Sequence, residues 1–305
     1  TWVVGDAGRL ALIANDHLIL LTEGTSHTLR SAASLAGRLV VVGEWGTLLR
    51  EGPDKFTEGV SGTDAALAGI APYQEDTLVA VGDQGVMLAI TWSAVREIDS
   101  PTEQSLRAII ADAGWLTAVG AGGTVVRGPL EALTTETLDG GPTLWGIAGT
   151  ADDALAVGDD GALVHLTRLT TTRVPCPAAA GLRFRAVHKG PQASFAVGVG
   201  GAIVRIEGEA CVLEQAPVAT RGALFTVGLD DAGRVFAAGE GGVAFVRASD
   251  GTWSELDLTV DVGIYGLLRT DRDIWLLGAS GAILRHPRTD TGGEAGGTAA
   301  GGVSG

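Results

Sequence analysis

Short apolar runs alternate with glycine turns along the whole chain. A run rich in Val, Ala or Leu precedes a G-x-x-G phrase, and a second short apolar run follows the phrase. The first glycines of its eight copies are Gly5, Gly43, Gly82, Gly120, Gly158, Gly198, Gly239 and Gly278. Two short β-rich runs joined by such a phrase predict a β-hairpin, because glycine tolerates the positive φ angles of tight turns. No segment longer than a turn shows the helical period.

Two further patterns recur once with each hairpin. An apolar-x-small-apolar phrase lies about fourteen residues before the turn, at 67–70, 106–109, 144–147, 184–187 and 264–267. A looser β-rich run follows the hairpin, such as residues 211–214. Each repeat therefore contains four predicted strands, a to d, with G-x-x-G between strands b and c.

The repeat length selects the architecture. The phrase recurs about every 39 residues, a period typical of propeller blades. The sequence predicts an all-β chain forming a β-propeller of eight four-stranded blades, in which the small residue of strand a faces the crowded axis. Seven blades are the alternative, although one hairpin would then be unplaced, and a β-solenoid usually has shorter repeats. The first repeat lacks strand a and the eighth lacks strand d. We expect a single propeller over 1–287 and a flexible Gly/Thr/Ala-rich tail over 288–305.

Composition narrows the classes of partner. The chain is 46% hydrophobic and 19% charged, which is typical of a globular protein. Its net charge of −15 argues against nucleic acid and anionic membranes as partners, since both attract basic surfaces. No apolar segment approaches the roughly 18 residues needed to cross a bilayer, so no direct membrane insertion is expected. Only Lys55 and Lys189 are lysines, which indicates a GC-rich genome and favours a bacterial source.

Phrases of the form A-V-G-x-x-G-x-I-L-R occur along nearly the whole chain, and residues 246–253 add a D-G-x-W tail. This pattern resembles the BNR or Asp-box-like repeats of the photosystem II assembly-factor (stability-factor) propellers. The resemblance implies a non-enzymatic scaffold that presents its loops to a protein or other macromolecular partner. It also implies an extracytoplasmic location, whether secreted, periplasmic or on the cell surface.

Two alternatives to a scaffold are considered. A sialidase-like propeller hydrolase or lyase needs clustered arginines and a tyrosine nucleophile with an acidic partner. Tyr73 and Tyr265 are the only tyrosines, and Tyr265 falls on an innermost strand, where packing is the expected role. No G-x-S-x-G, P-loop or H-E-x-x-H motif occurs. We therefore predict no catalytic residue, metal site or cofactor. The third interpretation is a structural or sensor module of a larger surface protein.

Other polar positions have structural interpretations. The arginines at 50, 127, 205 and 285 share one position on strand c with His165, and we expect them to pair with neighbouring blades. Cys176 and Cys211 are the only cysteines. They are either two buried free thiols or a disulfide, and a disulfide would favour an oxidising compartment.

The repeated turn is itself a candidate surface, because the b–c and d–a connections emerge at the same end of a propeller. Its second residue is acidic at Asp6, Glu44, Asp83, Asp159 and Glu240. Turn chemistry explains Asp but not Glu. Trp45 is the sharper candidate, since aromatic residues dominate binding hot spots, although packing over its own blade is the alternative. We predict a partner site here, for a basic partner or one with an apolar pocket for the indole.

Overall fold

The computed structural model describes residues 2–4, 9–14, 17–22, 25–52, 55–208, 210–214, 222–230, 233–256, 258, 261–269, 273–278 and 283–287. The chain divides into two compact units, Thr1–Val174 and Pro175–Gly305. Within the described ranges, no helix is long and apolar enough to span a membrane.

The first unit contains five antiparallel sheets. Its strands are β1 (Trp2–Val4), β2 (Arg9–Ala14), β3 (His17–Thr22), β4 (Leu29–Leu35), β5 (Arg38–Gly43), β6 (Leu48–Glu51), β7 (Phe56–Glu58), β8 (Leu67–Gln74), β9 (Thr77–Gly82), β10 (Met87–Ile90), β11 (Val95–Glu97), β12 (Leu106–Asp112), β13 (Trp115–Gly120), β14 (Thr124–Gly128), β15 (Thr134–Thr137), β16 (Leu144–Thr150), β17 (Asp153–Gly158), β18 (Leu163–Leu166) and β19 (Thr171–Arg173).

The second unit contains three antiparallel sheets. Its strands are β20 (Phe184–Lys189), β21 (Ser194–Gly198), β22 (Ile203–Glu207), β23 (Ala210–Glu214), β24 (Leu224–Leu229), β25 (Val235–Gly239), β26 (Ala244–Arg247), β27 (Trp253–Glu255), β28 (Ile264–Arg269), β29 (Asp273–Gly278) and β30 (Ile283–Pro287). Short 3-10 turns separate strands b and c, and one more, Pro177–Ala179, precedes β20.

Strand order within every sheet follows the chain. Six sheets have four strands each, whereas β1–β3 and β28–β30 form three-stranded sheets. This confirms the predicted a-b-c-d meander. Among the described residues, the first sheet lacks strand a and the last lacks strand d, as predicted. Closure of eight blades and a single domain over 1–287 stay predictions, and the tail over 288–305 lies outside the described residues.

Strand b reads as a continuous apolar run because both of its faces are buried. In β5, Val40 and Val42 pack in one cluster with Leu78 of the following sheet. Leu39 and Val41 point to the other face and pack in a second cluster. Successive side chains of a strand alternate between faces, so a strand that lies between two packed layers needs apolar residues at every position.

The small residues of strand a lie where neighbouring inner strands approach closely. A Cβ on Gly69 would be 3.2 Å from Cγ2 of Ile109 in the next sheet. Gly228 lies one residue after the equivalent positions 224–227 of the second unit and is also crowded, since a Cβ there would be 2.8 Å from Cδ2 of Leu267 in the next sheet. Crowding between inner strands was the predicted reason for small residues in this phrase.

Each strand a from the second sheet onwards carries a β-bulge at the second residue of the phrase. The pairing with strand b skips one position there, for example between Leu106 and Ala108. The skipped residues, termed the bulge residues below, are Arg30, Ala68, Arg107, Trp145, Arg185, Phe225 and Tyr265. A bulge re-aims one side chain without changing the face occupied by the rest of the strand. These seven side chains therefore do not follow the alternation between the two faces of the strand that buries their neighbours.

Candidate partner-binding site

The repeated turn has one hydrogen-bonding plan, illustrated by the copy at Gly82. The Gly82 amide donates to the Val86 carbonyl at 2.9 Å, and the Val86 amide donates to the Asp83 carbonyl at 3.1 Å. The Asp83 amide donates to the Ala66 carbonyl, just before strand a, at 2.9 Å. The turn is thus anchored both to its own hairpin and to the start of the inner strand.

The two glycines of the phrase serve different purposes. Gly85 has a φ of +73°, which favours glycine. Gly82 has a φ of −163° and is extended, but a Cβ there would lie only 2.2 Å from the Ala66 carbonyl oxygen. The sequence-based explanation by positive φ is correct for the second glycine and wrong for the first, which is required by the close approach of the backbone.

The turns and the d–a connections meet, as predicted for one end of a propeller. The Gly46 amide donates to the Ala65 carbonyl at 3.0 Å, and the Gly201 amide donates to the Gly222 carbonyl at 2.8 Å. Within each unit, we call the surface formed by its own turns and connections the turn face of that unit.

Trp45 occupies an unusual backbone position on the turn face. Its φ is +55°, in the left-handed region, where a bulky side chain costs about 1–2 kcal/mol relative to glycine. Of the equivalent residues, Gly122, Gly200 and Gly241 are glycines, whereas Gln84 and Asp160 also carry side chains at positive φ. The indole is 68% exposed, so it is not packed over its own blade. Folding therefore gains little from this tryptophan.

Two of the acidic turn residues form ion pairs with bulge residues. Glu44 accepts a hydrogen bond from Arg30 at 2.8 Å, and Asp83 accepts one from Arg107 at 2.9 Å. Each carboxylate thereby offsets the charge of an arginine and holds its direction. The attraction for a basic partner, expected from the sequence, is weakened where an arginine already lies beside the carboxylate.

Two further acidic turn residues accept hydrogen bonds from other donors. Asp159 accepts a hydrogen bond from the indole nitrogen of Trp145 at 3.1 Å. Glu240 accepts one from the backbone amide of Ala223 at 3.1 Å. Asp6 lies outside the described residues. The five acidic residues named from the sequence therefore do not share one environment.

The bulge residues are the part of this surface that sequence reasoning missed. Arg107 is 5.4 Å from the ring centroid of Trp145, the bulge residue of the next sheet. Phe225 and Tyr265 stack with centroids 4.9 Å apart. The available signal was the variable x of the apolar-x-small-apolar phrase, which is mostly arginine or aromatic although the residue before it is always apolar. Its meaning depends on the bulge.

The strand c arginines bear structural roles. Arg50 donates to the Thr91 carbonyl and Arg127 to the Thr167 carbonyl, each in the following sheet. Arg205 instead pairs with Glu214 of its own sheet at 3.0 Å. The predicted pairing with neighbouring blades is confirmed for Arg50 and Arg127 and is wrong for Arg205.

The histidine at the same strand c position also stays within its own sheet. Nε2 of His165 is 2.8 Å from Asp153, a residue of the same sheet. The predicted pairing with a neighbouring blade is therefore wrong for His165.

The two tyrosines have different surroundings. Tyr73 is buried, and its hydroxyl accepts a hydrogen bond from the Leu130 amide at 3.1 Å. Tyr265 stacks on Phe225 as expected, yet its side chain is 57% exposed. Among the described residues, no group of three or more His, Cys, Asp or Glu side chains could hold a metal ion.

The two cysteines form a disulfide. Cys176 and Cys211 have their Cα atoms 5.4 Å apart and are 35 residues apart in sequence. Cys176 lies in the connection that precedes β20, and Cys211 lies in the outer strand β23. The connection therefore passes close to the outer strand, which is the condition that a bridge requires.

The D-G-x-W tail lies in a sheet that is hydrogen-bonded to the preceding sheet through Glu214. The Thr252 amide donates to Asp250 at 2.9 Å, which holds the pKa of Asp250 below its usual value. Trp253 is buried and donates to Glu214 of the preceding sheet at 2.7 Å, and Arg247 donates to both Glu214 oxygens at 2.8 and 2.9 Å. Burial raises the pKa of Glu214, but these donors outweigh burial and the pKa is lowered.

Solved structures share this fold at low sequence identity. The structure of YCF48 bound to D1 peptide is 17% identical with a TM-score of 0.67, covering 88% of this chain and 94% of that one. YCF48 from Cyanidioschyzon merolae is 15% identical with a TM-score of 0.65, covering 84% of this chain and 94% of that one. The computationally designed Ika8 protein is 13% identical with a TM-score of 0.72, covering 87% of this chain and 85% of that one.

These likenesses establish the fold. The chain is a β-propeller, and its resemblance to the photosystem II assembly-factor propellers is confirmed at the level of structure. No protein-family model and no curated protein matches the sequence.

Proposed function

We propose that this protein is a non-enzymatic binding and assembly scaffold that holds a protein partner on its turn face. Trp45 carries the proposal. Its indole is 68% exposed on a backbone position with φ +55°, so it costs stability without filling the core. An exposed aromatic residue that contributes little to folding stability is typical of a binding hot spot.

The surroundings of Trp45 favour a partner with an apolar pocket. Its neighbour Glu44 is paired with Arg30, and the side chains of that pair are 35% and 41% exposed. A paired carboxylate adds little attraction for a basic group, whereas the indole offers a large apolar surface with low conformational entropy. Arg30, which is held by Glu44 next to Trp45 in the chain, can supply a polar contact. The YCF48 structure with a D1 peptide is a precedent for a peptide ligand on this fold.

The scaffold is proposed to work outside the cytoplasm. The disulfide between Cys176 and Cys211 supports this location, because disulfides persist in oxidising compartments and are rare in the cytosol.

Substitution of Trp45 tests the proposal. Trp45→Ala is expected to weaken partner binding by about 2 kcal/mol, roughly 30-fold, with little change in melting temperature. The partner is captured with the wild-type protein, identified, and titrated against each variant by calorimetry. Leu169 is the matched control, because it is 86% exposed but lies in a c–d connection, away from the turns. Equal binding by Trp45→Ala and Leu169→Ala would contradict the proposal, as would a loss of several kcal/mol of stability in Trp45→Ala.

A further inference from the structure

The second unit carries an aromatic pair at two bulge positions. Phe225 begins the inner strand β24 and Tyr265 begins the inner strand β28 of the next sheet. Their rings stack with centroids 4.9 Å apart and an interplanar angle of 22°. Tyr265 is 57% exposed, so the pair presents ring surface to solvent at the end of the sheets where the turns lie.

Two carboxylates, Glu240 and Asp261, lie in the turn and the connection that adjoin these two inner strands. Glu240 accepts a hydrogen bond from the Ala223 amide at 3.1 Å, two residues before Phe225. Asp261 places Oδ1 3.6 Å from where a Cβ on Gly241 would lie, next to Glu240.

Gly263 lies between Asp261 and Tyr265 in the chain and close to the tyrosine hydroxyl. It follows Asp261 by two residues, and a Cβ there would lie 2.9 Å from the Tyr265 hydroxyl oxygen. We call Phe225, Tyr265, Glu240 and Asp261 the aromatic–acidic corner.

The charge balance of this corner differs from that of the first unit. There, Glu44 and Asp83 are each paired with an arginine. Among the described residues of the second unit, no cation is paired with Glu240 or Asp261. The corner thus combines an exposed π surface with two carboxylates that no described arginine, lysine or histidine neutralises.

We propose that the aromatic–acidic corner binds a basic side chain of the partner, a lysine, an arginine or a methylated lysine. The face of an aromatic ring attracts a cation through its quadrupole, and carboxylates add Coulombic attraction. An apolar residue would be a poorer occupant, because it would desolvate two carboxylates without compensating them. A sugar ring would use the aromatic surface but leave both charges unpaired. The inference rests on the scaffold function proposed above and names the chemistry that the turn face of the second unit selects.

The test compares a cation with its neutral isostere. A short peptide containing trimethyllysine is titrated by calorimetry against the same peptide with a tert-butyl group in place of the trimethylammonium. The cationic peptide is expected to bind about tenfold more tightly. Tyr265→Ala is expected to remove that preference, and Tyr265→Phe to keep it, because the ring face remains. Glu240→Gln and Asp261→Asn are expected to reduce the preference and its salt dependence.

Three results would overturn the inference: equal binding of the two peptides, an unchanged preference in Tyr265→Ala, or tighter binding of a neutral disaccharide than of the cation. Asp261→Asn changes an exposed side chain and remains informative if Tyr265→Ala fails to fold. The scaffold proposal is tested separately through Trp45, on the first unit. Loss of partner binding in Trp45→Ala with no effect of any corner variant would defeat only this inference.

Discussion

Position 82 requires glycine because there is no room for a Cβ, and not because of its backbone angle. Its φ of −163° is open to any residue. A side chain is excluded because the Ala66 carbonyl oxygen would be 2.2 Å from its Cβ. The same approach recurs at Gly43, Gly120, Gly158, Gly198 and Gly239, which explains why glycine is kept at this position of the phrase.

A pair of substitutions in one turn separates the two demands on glycine. Gly82→Ala is expected to lower the free energy of unfolding by about 3 kcal/mol, because the inner strand must shift to admit the methyl group. Gln84→Gly is expected to raise it by about 1 kcal/mol, since Gln84 has a φ of +58°. Urea unfolding of both variants measures the difference. A Gly82→Ala protein as stable as the wild type would show that the close approach is not required.

Among single residues, the sequence predicts Trp45 as a candidate for partner binding, but it does not predict the roles of the bulge residues. A tryptophan in a short turn is conspicuous without a structure. The ion pair between Arg107 and Asp83 joins residues 24 positions apart. It depends on the bulge that turns Arg107 towards the turn, and this cannot be read from residue types alone.

At the scale of elements, the positions of the strands were the most predictable feature. The phrase assigned to strand a opens β8, β12, β16, β20 and β28 at its first residue, and the β-rich run over 211–214 lies within β23. Apolar runs indicate strands b and c most clearly because these strands are buried on both faces, as in β13 and β14. The bulges were not predictable, because a bulge is a property of the register between two strands.

The outer strand β23 depends on a single carboxylate. Glu214 receives hydrogen bonds from Arg205, Arg247 and Trp253. Glu214→Gln is expected to lower the free energy of unfolding by about 2 kcal/mol at pH 7, because two arginines lose their counter-charge.

The pH dependence of this effect has a definite sign. The folded-state pKa of Glu214 lies below the ordinary value of 4.5. Its stabilisation is therefore complete above pH 4.5 and is lost as the pH falls through the folded-state pKa. Urea unfolding at pH 7 and pH 3 should show the difference between wild type and Glu214→Gln shrinking in acid. Glu207→Gln is the control, because Glu207 is 57% exposed and its pairing with Arg205 should be worth less than about 1 kcal/mol. An equal effect of the two substitutions would contradict this account.

For the whole molecule, the fold followed from the period of about 39 residues, and the low-identity structural likenesses confirm a β-propeller. Eight hairpins predict eight blades. The function was less predictable, because the same ring of sheets serves unrelated purposes and only the side chains of its exposed ends distinguish them.

The compartment of the whole protein can be tested through its disulfide. Protein isolated under non-reducing conditions and then denatured is expected to show no reactive thiol, and two after reduction. Cys176→Ser with Cys211→Ser is expected to lower the free energy of unfolding by about 2–4 kcal/mol, because the bridge closes a loop between residues 35 apart. Two reactive thiols in protein alkylated directly in cells would argue for a reducing compartment.

The bulge on strand a separates two tasks that most strand positions combine. In an ordinary strand a side chain is chosen by the layer it packs into, so a change in recognition disturbs the core. The bulge residue stands outside that alternation, and the chain accepts arginine, alanine, tryptophan, phenylalanine or tyrosine there on nearly the same backbone. Substitutions at this one position of each repeat, whether in evolution or by design, can change what the surface binds while the fold is kept.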